Sequence, residues 1–257
     1  MKIAETLGAM AEIYRLSRDG RVRSPRFLAY LARAGHEWGF AAYNPMAGAA
    51  ALETVERLQD LGAEELARES GDRTARRCAF ATEITLALVV ASPGMWTDRV
   101  ATEAEHRTTG MRRPLRGLVQ IWAGEPISAE DVQREASAET VRTIWTELHG
   151  QTTTLSAVLA REGLSYALGS NPFGPPRAED EETLKGALQV LGDTTASDEI
   201  TTVLYGDEAA TRMGWTPLGL ADHAGFRWAA EVAARVVAEC GPERALRQSW
   251  TLGDLMA

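Results

Sequence analysis

The stretch Cys78 to Ala91, CAFATEITLALVVA, constrains the fold more than any other part of the chain. Only Thr82, Glu83 and Thr85 in it are polar. Taken as a helix that starts with the preceding TARR, it is apolar around most of its circumference. Such a helix belongs in the middle of a bundle, not on its surface. The expected fold is therefore all-α, a multi-helix bundle around a buried central helix at about residues 73–91. At most one short strand is expected, near 117–123, where GLVQIW is the least helical segment of the first half.

In this picture Glu83 is an acid inside the central rod. An unpaired charge in an apolar interior costs several kcal/mol, comparable to a whole domain's stability. Glu83 must then be protonated, bound to a metal, or paired with arginine or histidine. Arg73, Arg76 and Arg77 lie on the same helix, and Arg112, Arg113 and Arg116 in the loop beyond it.

The remaining helices are read from periodicity and caps. Ile3, Leu7, Met10 and Tyr14 give a first amphipathic helix over residues 3–16. Ser24-Pro25 and Asn44-Pro45 each place a capping residue before a proline at a helix start. Leu52, Val55, Leu58 and Leu61 line one face of a helix that ends at Gly62. A short helical piece, AEELARE, leads to Asp72 as the expected cap of the central helix. After Ser92-Pro93-Gly94 a helix starts at Thr97 or Asp98. Ser128 caps the next. Val141, Ile144, Trp145 and Leu148 form an i, i+3, i+4, i+7 stripe. Leu155 to Leu168 is helical with an interruption at Gly163, and Leu220 to Cys240 is the last long helix. GSNPFGPPRAEDEE, residues 169–182, with its three prolines and run of acids, reads as a linker or a long surface loop. It separates a main bundle, residues 1–168, from C-terminal helices, residues 183–257, expected to pack on the same core.

Composition narrows the function classes. The 36 acids against 27 bases give a formal charge of −9, which disfavours nucleic acid and anionic membrane as partners. The longest apolar run, Leu86 to Ala91, is far shorter than the roughly 18 residues of a membrane span. All but two of the basic residues are arginine, a bias expected of a GC-rich, bacterial genome. Cys78 and Cys240 lie in apolar helical patterns and indicate no disulfide framework. The expectation is a soluble cytoplasmic protein, with a homo-oligomer compatible with the sequence.

Four histidines bound the search for chemistry. Glu103-x-x-His106 places a carboxylate and an imidazole on one helix face, the half-site that helical di-iron carboxylate proteins use twice. Glu83 could supply a lone carboxylate, but no second Glu-x-x-His exists, because Arg33, Thr146 and Leu220 precede His36, His149 and His223 by three. Glu83, Glu103 and His106 are the candidate metal ligands, against the plainer reading of a solvated face. His149 ends a helix just before Gly150, where the helix dipole favours a cation; haem or metal ligation is its sharper reading. His36 in GHEWGF does not extend to His-Glu-x-x-His, so no zinc-protease motif is present. Asp222-His223 opens the last long helix as a candidate acid–base pair, beside the alternative that His223, Arg227, Glu231 and Arg235 form a stabilising ladder. Dinucleotide, phosphate-loop, Cys-x-x-Cys and Gly-x-Ser-x-Gly motifs are absent.

Two functions follow. The first is a metal-dependent oxidoreductase of small-molecule metabolism, using non-haem iron or haem. The alternative is a non-catalytic helical protein that binds a small ligand or a protein partner.

Overall fold

The computed structural model describes residues 1–16, 24–34, 47–92, 99–104, 106–107, 112–169 and 171–257. His36, the Asn44-Pro45 cap and the helix start at Thr97 or Asp98 lie outside these residues.

The protein is predominantly helical. Thirteen helices and three strands occur among the described residues. The chain opens with β1 (Lys2–Ala4), then α1 (Leu7–Arg15), α2 (Pro25–Ala34), α3 (Ala49–Asp60) and α4 (Ala63–Arg77). β2 (Thr85–Ala91), α5 (Arg99–Ala104) and β3 (Arg116–Trp122) follow. The second half is helical: α6 (Ala129–His149), α7 (Leu155–Gly169), α8 (Ala178–Leu191), α9 (Ser197–Tyr205), α10 (Asp207–Met213), α11 (Ala224–Cys240), α12 (Pro242–Arg247) and α13 (Leu252–Met256).

The expected central helix is two elements. Residues 63–77 form α4, so Asp72 lies inside a helix and caps nothing. The apolar run is the strand β2, held between β1 and β3 in a parallel sheet of order β1-β2-β3. Leu86 to Ala91 are all buried, which is why the run reads as continuously apolar. A parallel strand covered on both faces needs no alternation. Its length, about seven residues, and its paired valines distinguish such a strand from a buried helix. The strand expected near 117–123 is present as β3, and it pairs along its length with β2. Ile3 and Ala4, read as the start of a helix over residues 3–16, belong instead to the strand β1. Parallel pairing forces long crossovers; α1 to α4 fill the first and α5 lies in the second.

The buried rods are α6 and α7. Residues 136–146 of α6 and 158–166 of α7 are buried without a break. α6 packs between α4 and α7 and lies against β3, and α11 covers α7. Ser128 caps α6 as expected, in a reciprocal box with Asp131. Ser24 receives the Phe27 amide at the start of α2. Among the described residues of the Pro-rich stretch only 171–177 are loop, since the acids Glu179, Asp180 and Glu181 form the first turn of α8, where the helix dipole favours them. Leu184, Leu188, Phe226 and Val232 belong to the same buried cluster as Leu58, Leu86 and Leu159. No helix of the described residues is long and apolar enough to cross a membrane.

Gly163 does not interrupt α7. It lets α11 approach: a Cβ there would collide with the backbone carbonyl of Ala229. Gly163→Ala is expected to lower stability by about 3 kcal/mol, because backbone cannot move aside as a flexible side chain can. Gly186→Ala on α8, with nothing near the added methyl, should raise it by roughly 0.5–1 kcal/mol through helix propensity. Urea denaturation of both variants reads the contrast; equal effects would show that α7 and α11 are not in tight contact.

Candidate functional site

Helices α6 and α7 carry ionisable side chains into the core, and these define the site. Arg142 of α6 faces Glu162 of α7, with Nε 2.9 Å from Oε2 and 3.2 Å from Oε1. Arg161 donates from Nε to the same carboxylate at 2.9 Å and from Nη1 to Thr152 Oγ1 at 2.6 Å. Glu139, one turn before Arg142, binds the Arg112 guanidinium and accepts the Leu118 amide at 2.9 Å. The Glu162 side chain is fully buried, and those of Arg142, Arg161 and Glu139 nearly so.

Burial would raise the Glu162 carboxyl, but Arg142 and Arg161 outweigh it and hold it at about 2. Burial likewise acts against ionised Glu139, and Arg112, His106 and Arg142 reverse it. Arg161 moves the other way, down to about 10, through burial and then the like charges of Arg112 and Arg142. The inner cluster holds three guanidinium groups against two carboxylates, an excess of one positive charge. Its hydrogen bonding is incomplete on both sides, since Glu139 Oε2 is buried with no donor among the described residues. Arg112 Nε and Nη1 and Arg161 Nη2 are buried with no acceptor among the described residues. Arg142 Nη2 is 2.9 Å from Glu162 Oε2, close enough for an ion pair but not aligned for a hydrogen bond.

Tyr166 joins this cluster to an outer one. The guanidinium of Arg142 lies 5.2 Å from its ring and that of Arg107 5.9 Å, and Arg107 also donates to its hydroxyl. Arg107 pairs with Glu103 at 2.9 Å and stands 3.7 Å from Glu135. These three side chains are partly exposed, so the network reaches the surface through them. Beside them is an aromatic wall: Tyr166, Phe173, Tyr205 and Phe226 pack at ring distances of 5.0–5.7 Å. The Tyr205 hydroxyl is buried without a hydrogen-bond partner among the described residues, and burial pushes its pKa far up.

The sequence-derived candidates fall in several places. Glu83 is not buried: it precedes β2, is more than half exposed and pairs with Lys2 at 2.7 Å. The cost argument that singled it out does not apply, because the helix that would have buried it is absent. Glu103 binds Arg107. His106 Nε2 lies 3.2 Å from the Leu118 carbonyl, which can only accept, so Nε2 carries the proton. Burial, with Arg112 and Arg142 nearby, lowers His106 to about 4 despite Glu139. Among the described residues no group of three or more His, Cys, Asp or Glu side chains could hold a metal ion. His149 stacks on Trp145 at 4.1 Å and donates from Nε2 to the Leu246 carbonyl at 2.7 Å.

His223 belongs to the outer cluster. It stacks on Phe173 at 4.6 Å, and burial lowers its pKa against the opposing pull of Asp222 and Glu103. Its backbone is left-handed, φ 57°, a conformation that costs a non-glycine residue about 1 kcal/mol or more. Asp222 beside it is exposed. The structure thus gathers Glu103 and His223 near one aromatic wall and leaves Glu83 and His149 elsewhere.

Sequence reasoning missed Arg107, Glu139, Arg142, Arg161, Glu162 and Tyr205, and named Arg112 only as a possible partner of Glu83, whereas it pairs with Glu139. One signal was available. Arg161 and Glu162 are adjacent charges inside LSAVLAREGLSYAL, with apolar residues on both sides. Neighbours about 100° apart on so apolar a helix cannot share a narrow solvated stripe.

Glu162→Gln removes one carboxylate and leaves two buried guanidinium groups facing a neutral amide. A loss of about 3–5 kcal/mol is expected, read by chemical denaturation; a loss under about 1 kcal/mol would show that solvent reaches the pair. Acid acts in two windows. Between pH 6.5 and 4 the unfolded chain binds a proton at His106 that the folded protein refuses, so stability falls as pH drops. The Glu162 contribution is complete above 4.5 and lost as pH falls toward 2. His106→Gln, which keeps a donor for Leu118, should flatten the upper window and leave the residual slope from His223. An unchanged pH profile would place the titration elsewhere. Comparison with protein-family models, curated proteins and solved structures finds no match.

Proposed function

We propose that the chain is a binding protein for a small apolar or aromatic monocarboxylate, held where the arginine network meets the aromatic wall. The observation that carries this reading is the set of buried guanidinium N–H groups, on Arg112 and Arg161, that have no acceptor among the described residues. Buried polar groups are normally satisfied, and each orphan points to an absent partner. A carboxylate matches the guanidinium fork, and its single charge equals the excess of the inner cluster. Tyr166, Phe173, Tyr205 and Phe226 supply an apolar surface for the rest of the molecule, with the Tyr205 hydroxyl as a further contact. His223 is then a ligand contact and not half of an Asp222–His223 acid–base pair. The free thiols Cys78 and Cys240 suit a reducing, cytoplasmic setting.

The iron-dependent oxidoreductase expected from Glu103 and His106 would require both residues to exchange the partners described above. Stoichiometric iron, or a Soret band, in the purified protein would replace the carboxylate reading with that one.

Thermal-shift and calorimetric titrations test the proposal, using a small set of aromatic and branched aliphatic carboxylates against their neutral amides at constant ionic strength. A carboxylate at 100 times its Kd should add about 2.7 kcal/mol of stability, and the amide none. Arg161→Met, which removes the surplus charge and leaves the cluster balanced, should weaken binding at least about tenfold. Equal effects of acid and amide, or no shift with any acid, would remove the proposal.

A further inference from the structure

We infer that the cleft between the end of α4 and α12 is a second site, independent of the carboxylate site, that takes a phosphate dianion carried on a small molecule. The cleft has a volume of about 500 Å³ and is lined by Arg77, Ala79, Cys240, Glu243, Arg244 and Arg247. That volume lies in the range of small-molecule sites and is larger than inorganic phosphate needs.

Charge gives the ligand its class. Three guanidinium groups face one carboxylate, an excess of two positive charges on a protein whose formal charge is −9. A phosphomonoester near neutral pH carries about −1.5 to −2, so it neutralises the cleft where a monocarboxylate would not. The arginines are also uncommitted. Among the described residues Arg77 donates one hydrogen bond, to the Leu168 carbonyl at 3.2 Å. The Arg244 side chain has no ion-pair partner among the described residues. Arg247 pairs with Glu243 at 3.1 Å, but both side chains are about half exposed, and such pairs contribute little. Arg247 can therefore turn to a ligand at small cost. α12 has only six residues, so the guanidinium groups and not the helix end carry the site. The turn after α4, with Ala79 at φ 51° and the Phe80 amide bonded to the Ala75 carbonyl, brings Ala79 into the cleft wall beside Arg77.

The experiment is calorimetry at constant ionic strength with a sugar phosphomonoester, the unphosphorylated sugar and inorganic phosphate. It uses the wild-type chain, Arg161→Met, and the double variant Arg77→Ser/Arg244→Ser. Both substituted positions of the double variant are exposed, and its melting temperature, expected unchanged, checks its fold. The ester should bind to wild type and to Arg161→Met alike, bind at least about tenfold more weakly to the double variant, and outcompete inorganic phosphate. Four results overturn the inference: equal affinity in the double variant, equal affinity for the parent sugar, equal affinity for inorganic phosphate, or loss of binding in Arg161→Met. Failure of the carboxylate titrations leaves this cleft untouched, because no residue is shared.

Discussion

The fold depends on the ion pairing between α6 and α7. A charge left alone in the interior costs several kcal/mol, about what a whole domain has to spare. Arg142 and Glu162 therefore hold the two helices at the separation their side chains reach, with Arg161 bound to the same carboxylate. Little else about these helices is free to vary. Gly163, beside Glu162 on α7, admits α11 on that helix, so the charged contact to α6 and the close backbone contact to α11 lie within one turn. A ruler made of charge on one side and of van der Waals contact on the other leaves α7 a single seat.

The same network governs the sheet. Glu139, one turn before Arg142, accepts the amide of Leu118, and His106 donates to the carbonyl of that residue. A three-stranded sheet of short strands is a minor part of a helical protein, yet its outer strand is tied by side chains to the buried ion cluster. Low His106 basicity follows from that position, first through burial and then through the nearby guanidinium groups, and the imidazole serves as a neutral donor. Electrostatics and sheet geometry are coupled here through one residue, Leu118.

The helical character of the chain was legible, as were several caps, because Ser128 and Ser24 act through local hydrogen bonds that sequence spacing reveals. The strand expected near 117–123 was legible too. The nature of the apolar run at 85–91 was not. Periodicity alone cannot separate a strand buried on both faces from a buried helix, and helical neighbours tilted the reading. That error displaced the search for chemistry, since it made exposed Glu83 look anomalous and left Arg142, Arg161 and Glu162 looking like ordinary helix charges. Their burial depends on which helices surround α6 and α7, a long-range property that no local window contains. Glu103 and His223 were singled out one by one, but Arg107, which pairs with Glu103, and Phe226, which packs near His223, were not.

The closure of β3 at Leu118 has a consequence beyond packing. A strand at the margin of a sheet ordinarily offers its unpaired amides and carbonyls to any extended chain that drifts past, which is how aggregation by strand addition begins. At Leu118 both groups are already engaged, one by a carboxylate and one by an imidazole. An incoming strand would have to break into the charged interior to register there. The buried acid and base thus act as a stopper at that one position of the sheet margin.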